Sequence, residues 1–261
     1  MIGAIAGDII GSVFEASPIK SGDFPLFSPG ARFTDDSVLS VATAEVLMYE
    51  GDYAEAYRRW FRKYPDAGYG RGFRQWAATP GAPAYDSLGN GSAMRVAPVG
   101  WACSELESVY REARRSAAVS HNHPEGIKGA QAIAVAVFLA RQGENKSVIR
   151  RHLEKVFGYD LKRSLADIRP DYRFDATCPG SVPEAMIVFL EADDFESAVR
   201  GAVSLGGDAD TQACMAGAVA EAYYGGVPAD IRVAALSRLD AELLEVVEGF
   251  VARFRVPVVR G

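Results

Sequence analysis

Apolar residues recur at three- and four-residue intervals along almost the whole chain, and the strict alternation that marks a half-buried strand is nearly absent. The pattern predicts helices at roughly 3–16, 37–50, 53–64, 104–119, 125–142, 146–157, 182–192, 195–205, 209–224 and 229–254. Their ends carry ordinary signals: Gly51, Gly143, Gly158 and Gly225 follow apolar runs, and Pro124, Pro183 and Pro228 stand where first-turn prolines belong. The expected fold class is all-α, a compact orthogonal bundle of many helices, formed as one domain over residues 1–261. Segments 65–90 and 160–179 escape the pattern. Rich in Gly, Pro, Asp and aromatic residues, they are expected as surface loops, and loops of that length in a compact domain commonly carry function.

Composition narrows the function. Hydrophobic residues are 49% of the chain and charged residues 24%, which supplies a large core and removes any case for disorder. A net charge of -6 offers no field for a phosphate backbone or an anionic lipid surface, so nucleic acid is not expected as a generic partner. Cys103, Cys178 and Cys214 are odd in number and far apart, which suits a reducing compartment, and a cytoplasmic location is expected. Residues 1–16 are apolar but lack a basic flank and are interrupted by Asp8, so they read as mature protein. The apolar run 130–140 is too short to span a bilayer. A monomer is expected.

Two motifs repeat one chemical arrangement. Thr34-Asp35-Asp36-Ser37 opens one predicted helix and Asp208-Ala209-Asp210-Thr211 opens another. Helix capping alone would account for either, because Asp and Thr accept hydrogen bonds from free first-turn amides. Capping does not require the doubling, whereas two facing clusters of hard oxygen donors would supply what a pair of magnesium ions needs. Gly206-Gly207 frees the backbone to bring the second cluster close to another element. In the first helix Gly3, Gly7 and Gly11 form a smooth stripe for close packing, while Asp8, Ser12 and Glu15 share a face that is either solvated or part of the acidic site.

Ser87-Leu88-Gly89-Asn90-Gly91-Ser92-Ala93-Met94-Arg95 is a glycine-rich turn running into a helix, and its amides could cradle a diphosphate or simply make a tight turn. It matches neither the Walker A nor the dinucleotide fingerprint. Ser120-His121-Asn122-His123 holds two of the three histidines; without a third nearby ligand, a hydrogen-bonding role is favoured over a metal site. His152 lies among Arg150, Arg151 and Lys155 and reads as surface.

Taken in order, Gly3-Ala4-Ile5-Ala6-Gly7-Asp8 through Glu15, Thr34-Asp35-Asp36, the Gly89 to Arg95 run, Ser120-His121 and Gly206-Gly207-Asp208-Ala209-Asp210-Thr211 resemble the ADP-ribosylglycohydrolase family, and the resemblance covers nearly the whole chain. It implies an all-helical fold with a di-metal cleft holding two magnesium or manganese ions. Thr34, Asp35, Asp36, Asp208, Asp210 and Thr211 correspond to the metal ligands, with Asp210 touching both ions. Glu15 corresponds to an acidic catalytic residue, with Asp35 as a second catalytic candidate. Ser87, Gly89, Asn90, Gly91, Ser92 and His121 correspond to positions that bind substrate through its diphosphate and ribose. The implied partner is ADP-ribose or ADP-ribosylated protein. The 65–85 loop departs from the family pattern and leaves the leaving group open. It is expected as the rim that meets the acceptor, with Tyr69, Arg71, Phe73, Arg74 and Trp76 available for stacking and hydrogen bonds, although exposed loop arginines such as Arg71 and Arg74 are more often solvated than functional.

The reaction implied is hydrolysis of a glycosidic bond to ADP-ribose by a positioned water, with Glu15, Asp35 or Asp208 taking the proton. A two-metal nucleotide phosphohydrolase and a non-catalytic ADP-ribose-binding protein are the alternatives.

Overall fold

A computed structural model describes residues 1–256, so the last five positions of the expected domain lie outside the described residues. Fifteen helices follow one another, and no β-strand occurs among the described residues. They are α1 (Ile2–Gly11), α2 (Asp35–Tyr49), α3 (Tyr53–Lys63), α4 (Arg71–Ala78), α5 (Gly91–Met94), α6 (Ala97–Ala102), α7 (Leu106–Ala118) and α8 (Pro124–Arg141). There follow α9 (Lys146–Phe157), α10 (Leu165–Ile168), α11 (Cys178–Glu191), α12 (Phe195–Val203), α13 (Ala209–Tyr223), α14 (Ala229–Leu236) and α15 (Ala241–Phe254).

At the centre lies α13, buried along nearly its whole length, with α1, α8, α11 and α12 packed around it. A helix enclosed on all sides cannot carry a polar stripe, and α13 accordingly reads Ala-Cys-Met-Ala-Gly-Ala-Val-Ala between its acidic start and Glu221. Small residues also let neighbours approach closely. Glu221, fully buried, turns back to accept the amides of Ile2 at 3.2 Å and Gly3 at 2.9 Å, and so satisfies first-turn donors of α1. On the other side α2 packs against α1 and carries α3 and α15 on its outer surface.

The helix starts and stops explain where the periodicity misleads. α1 ends at Gly11, and Glu15 therefore sits in the following loop. Ser12 Oγ donates back to Ile9 O at 2.9 Å, and the chain turns away. The expected 229–254 helix is two helices: Asp240 accepts from the amides of Glu242 and Leu243 and starts α15 afresh. α11 begins five residues before Pro183, because Thr177 caps it, accepting from Gly180 N at 3.2 Å; Pro183 lies inside the helix, not in its first turn. At the end of α2 the left-handed residue is Glu50 (φ 56°), one position before the expected Gly51.

Segment 65–90 also differs from expectation, since it contains α4. Tyr69, Phe73 and Trp76 are 4%, 5% and 3% exposed, packed in a row of aromatic contacts, and so unavailable as a stacking rim. No helix among the described residues is long and apolar enough to cross a membrane, and all three cysteines are free thiols.

Candidate active site

Three helix ends meet at one cleft. The N-terminus of α2 brings Thr34, Asp35 and Asp36, the N-terminus of α13 brings Asp208, Asp210 and Thr211, and the end of α1 brings Asp8, with Ser12 and Glu15 just beyond. Asp8 has no exposure to solvent, which overturns the solvated-face reading for that acid, whereas Glu15 is exposed. Its carboxylate caps α2 from the neighbouring helix: Oδ2 accepts the amides of Thr34 at 2.9 Å and Ser37 at 3.0 Å, and Oδ1 accepts the Thr34 hydroxyl at 2.6 Å. Ser37 Oγ also donates to Oδ2. The first-turn donors of α2 are thus met by Asp8, at Ser37 N, by the Thr34 hydroxyl, which accepts from Asp36 N at 3.4 Å, and by Ala67 O, which accepts from Asp35 N at 2.8 Å, so the carboxylates of Asp35 and Asp36 are left free of capping.

Two groups of carboxylate oxygens come within 4.8 Å of one another, Asp8 with Asp36 and Asp210, and Glu15 with Asp208 and Asp210. Asp210 belongs to both. Asp8 did not figure among the ligands implied by the sequence; the signal for it was its place beside Gly7 on an apolar helix that buries every residue. Asp36 Oδ1 is buried with no hydrogen-bond partner. No ion pair among the described residues reaches any of these acids or Asp35.

Burial first, and then the charges of Asp8, Asp35 and Asp208, push the Asp36 carboxyl well above the ordinary range. Desolvation followed by the charges of Asp36 and Asp208 does the same to Asp210, and desolvation with Asp8 and then Asp208 to Asp35. Glu15 is raised by desolvation, then by Asp208 and Asp8. A set of all-oxygen donors, buried except for Glu15, mutually repelling and with an orphaned carboxylate oxygen, fits hard divalent cations.

The glycine loop forms the other wall of the cleft, whose volume is about 340 Å³. A single antiparallel bridge pairs Gly89 with Thr177; Asn90 N donates to Ala176 O at 2.8 Å and Cys178 N to Leu88 O at 2.9 Å. Segment 160–179 therefore braces the loop, and Phe174 and Ala176 face the cleft beside it. Gly89 N donates to Ser87 Oγ at 3.1 Å, so the amides of residues 89 and 90 are both engaged, the first within the loop and the second with Ala176 O. Ser87, Gly89, Gly91 and His121 line the cleft.

Asn90 also lines it, but its side-chain amide donates to Asp208 Oδ2 at 2.8 Å and orients that acid. Ser92 is a correction to the expected substrate contacts: it is fully buried, it is absent from the cleft lining, and its hydroxyl donates to Gly126 O at 2.7 Å because α5 turns it inward. Sequence reasoning missed Arg32, Tyr85 and Phe174, three cleft-lining side chains outside the motifs, and it gave Arg71 only as an uncertain loop arginine.

With the cleft described, the likeness to known proteins is decisive: the model of the ADP-ribosylglycohydrolase family matches residues 1–257. The chain belongs to the ADP-ribosylglycohydrolase family. It is 30% identical over 306 aligned positions to the ADP-ribosylhydrolase ARH3 of Mus musculus, covering 86% of this chain and 82% of that protein. With the ADP-ribosylarginine hydrolase Tri1 of Pseudomonas putida (strain GB-1) it shares 25% identity, over 86% of this chain and 69% of the relative. A solved structure titled as an ADP-ribosylglycohydrolase-related protein complex superposes with a TM-score of 0.73 at 27% identity, over 98% of this chain and 97% of the other. As a member of the ADP-ribosylglycohydrolases, the chain is a hydrolase of ADP-ribosyl glycosidic bonds.

Proposed function

We propose that this ADP-ribosylglycohydrolase uses two magnesium or manganese ions to cleave the bond between ADP-ribose and an acceptor, a protein side chain or a small conjugate, within a single domain. The observation that carries the metal requirement is the buried acidic cluster, which has an orphaned Asp36 oxygen and, among the described residues, no cationic side chain paired with it. Thr34, Asp35, Asp36, Asp208, Asp210 and Thr211 would hold the ions, and Asp8, its oxygens already filled by Thr34 and Ser37, holds α2 in register with them. The ions, when bound, supply positive charge where the ribose hydroxyls and the attacking water gather.

The chain's own groups do the rest. Asn90 fixes Asp208 by the hydrogen bond that its side-chain amide donates to Oδ2. The turn at Ser87, Gly89 and Gly91, with His121 behind it, receives the diphosphate. Glu15 accepts the proton of the water, its position beyond the end of α1 leaving it partly open to the cleft; Asp35 is the second candidate for that role. Arg32, Arg71 and Tyr85, which line the cleft outside the metal and glycine-loop motifs, would meet the acceptor.

Incubation with magnesium and ADP-ribosylated protein should release free ADP-ribose, and chelation should stop it. Release of AMP instead would favour a phosphohydrolase, and tight binding without turnover an ADP-ribose-binding protein. Glu15→Gln should lower kcat roughly a hundredfold while the Kd for ADP-ribose stays within a few-fold, because shape is kept and proton transfer is lost. Unaltered turnover would leave Glu15 as a polar residue of the rim.

A further inference from the structure

The cleft has a buried cation as well as buried acids. Arg95 closes the glycine-loop motif and has no solvent exposure. Its guanidinium lies 4.1 Å from the centroid of the Tyr57 ring, and among the described residues no carboxylate pairs with it. Nη2 donates to Ser116 O at 2.8 Å and to Ser120 Oγ at 3.0 Å. A guanidinium can only donate, so in this contact Ser120 Oγ is the acceptor.

The same hydroxyl lies 2.8 Å from His121 Nδ1. Ser120 is fully buried, and Nδ1 is the partner left for its proton. If Nδ1 carried the hydrogen instead, the hydroxyl would accept twice and its own proton would be stranded away from water, at the cost of a buried unpaired donor. The Ser120 hydroxyl and Nδ1 are both satisfied only when Ser120 donates to Nδ1. The ring hydrogen then stands on Nε2.

Nε2 faces the glycine loop. A Cβ at Gly91 would come 3.0 Å from it and one at Gly89 3.5 Å, so the two glycines keep open the space in front of this nitrogen. We propose that Arg95 and Ser120 are positioning residues that lock His121 in its Nε2–H tautomer, so that an uncharged ring donates one hydrogen bond to an anionic diphosphate oxygen. The second half rests on the reading of the glycine loop as the diphosphate subsite. Burial, and then the charge of Arg95, hold the His121 imidazole well below its ordinary range, so the ring is neutral and must choose a tautomer. The Tyr85 ring packs edge-on at 5.7 Å and offers this histidine no competing charge.

Side-chain nitrogen correlation spectra of the free protein at neutral pH test the lock without any ligand, with His121→Gln assigning the signal among the three histidines. The expected result is a pyridine-like Nδ1 and a protonated, pyrrole-like Nε2. In Ser120→Ala the two tautomers should mix, and the Kd for ADP-ribose with magnesium should rise about three- to tenfold, the loss expected when one neutral donor is no longer held toward an anion. Ser120→Thr should restore both. A protonated Nδ1 in the parent, or an unchanged tautomer ratio in Ser120→Ala, overturns the lock. If the tautomer is as stated but saturating ADP-ribose leaves the Nε2–H resonance unmoved, the lock stands and the diphosphate is removed from it.

Discussion

Asp36→Asn will abolish hydrolysis and yet make the metal-free protein more stable. Both results come from one carboxylate. Asp36 is 2% exposed, its Oδ1 has no hydrogen-bond partner, and Asp8 and Asp210 carry oxygens within 4.8 Å. Without cations the folded state must hold these repelling groups in a poorly solvated place, and removing one charge relieves it. At pH 8 the metal-free variant should melt above the metal-free parent, by roughly 2–4 °C for each kcal/mol relieved in a chain of this size. With saturating magnesium the order should reverse, since the parent gains the binding free energy of its ions and the variant has lost a ligand.

The effect should depend on pH in a definite sense. Burial and like charge raise Asp36, Asp35 and Asp210 above their unfolded values. Their contribution to metal-free stability is therefore complete below the unfolded pKa, near 4, and is lost as pH rises through the raised folded values. The metal-free parent should lose stability from mildly acidic to alkaline pH, and the Asn variant should lose less. Thermal melts with chelator and with magnesium, at several pH values, decide the matter; a metal-free variant that melts below its parent at pH 8 would show that the carboxylate is compensated in some other way.

Much of this was legible in the sequence, where local rules and tertiary demands agree. The helices from α7 to α9 and at α12 and α13 follow their apolar periodicity, with Asn145 and Gly158 closing α9 as such residues do. The doubling of Thr-Asp-Asp and Asp-Ala-Asp-Thr pointed to chemistry because capping needs one oxygen, and in the fold Thr34 and Asp8 cap α2, which leaves Asp35 and Asp36 for other work.

What was not legible depended on partners distant in sequence. A loop rich in Gly and Pro hid the spacing of Tyr69, Phe73 and Trp76, i, i+4 and i+7, which is a helical signal in its own right. Ser92 shares the glycine-rich run with Gly89 and Gly91, and nothing local says that Gly126 will stand behind it. The rim residues Arg32 and Phe174 belong to no motif and reach the cleft only because their loops are held there, the second by the Gly89–Thr177 bridge.

Gly7→Ala will cost both stability and activity, although it exchanges the poorer helix former for the better. In an isolated helix the alanine would be favoured by about 1 kcal/mol. Here α1 and α13 pack backbone to backbone: a Cβ on Gly7 would come 2.0 Å from Ala213 O and 2.4 Å from its carbonyl carbon. Those atoms belong to the middle of a buried helix and cannot rotate away as a flexible side chain could. Relief requires α1 and α13 to separate until the contact approaches the ordinary distance of about 3.5–4.0 Å, and overpacking of this kind costs roughly 1–3 kcal/mol or more. Gly3 and Gly11 face Gly217 O and Ala209 O just as closely, so the helix cannot pivot about either end without a new collision. The shift reaches the site directly. Asp8 follows Gly7 on α1, Asp210 lies three residues before Ala213 on α13, and these two acids share one cluster with Asp36. A displacement of about an ångström at a catalytic constellation is enough for a hundredfold loss. The expected outcome is a folded protein with a lower melting temperature, weaker magnesium binding and a kcat lowered by a factor of roughly ten to a hundred. Gly30→Ala, in a loop where the nearest atom would be a valine methyl at 4.0 Å, is the control, and its left-handed φ of 89° should lower stability without touching magnesium affinity. If Gly7→Ala binds magnesium and turns over like its parent, the close crossing of α1 and α13 does not set the separation of the acids.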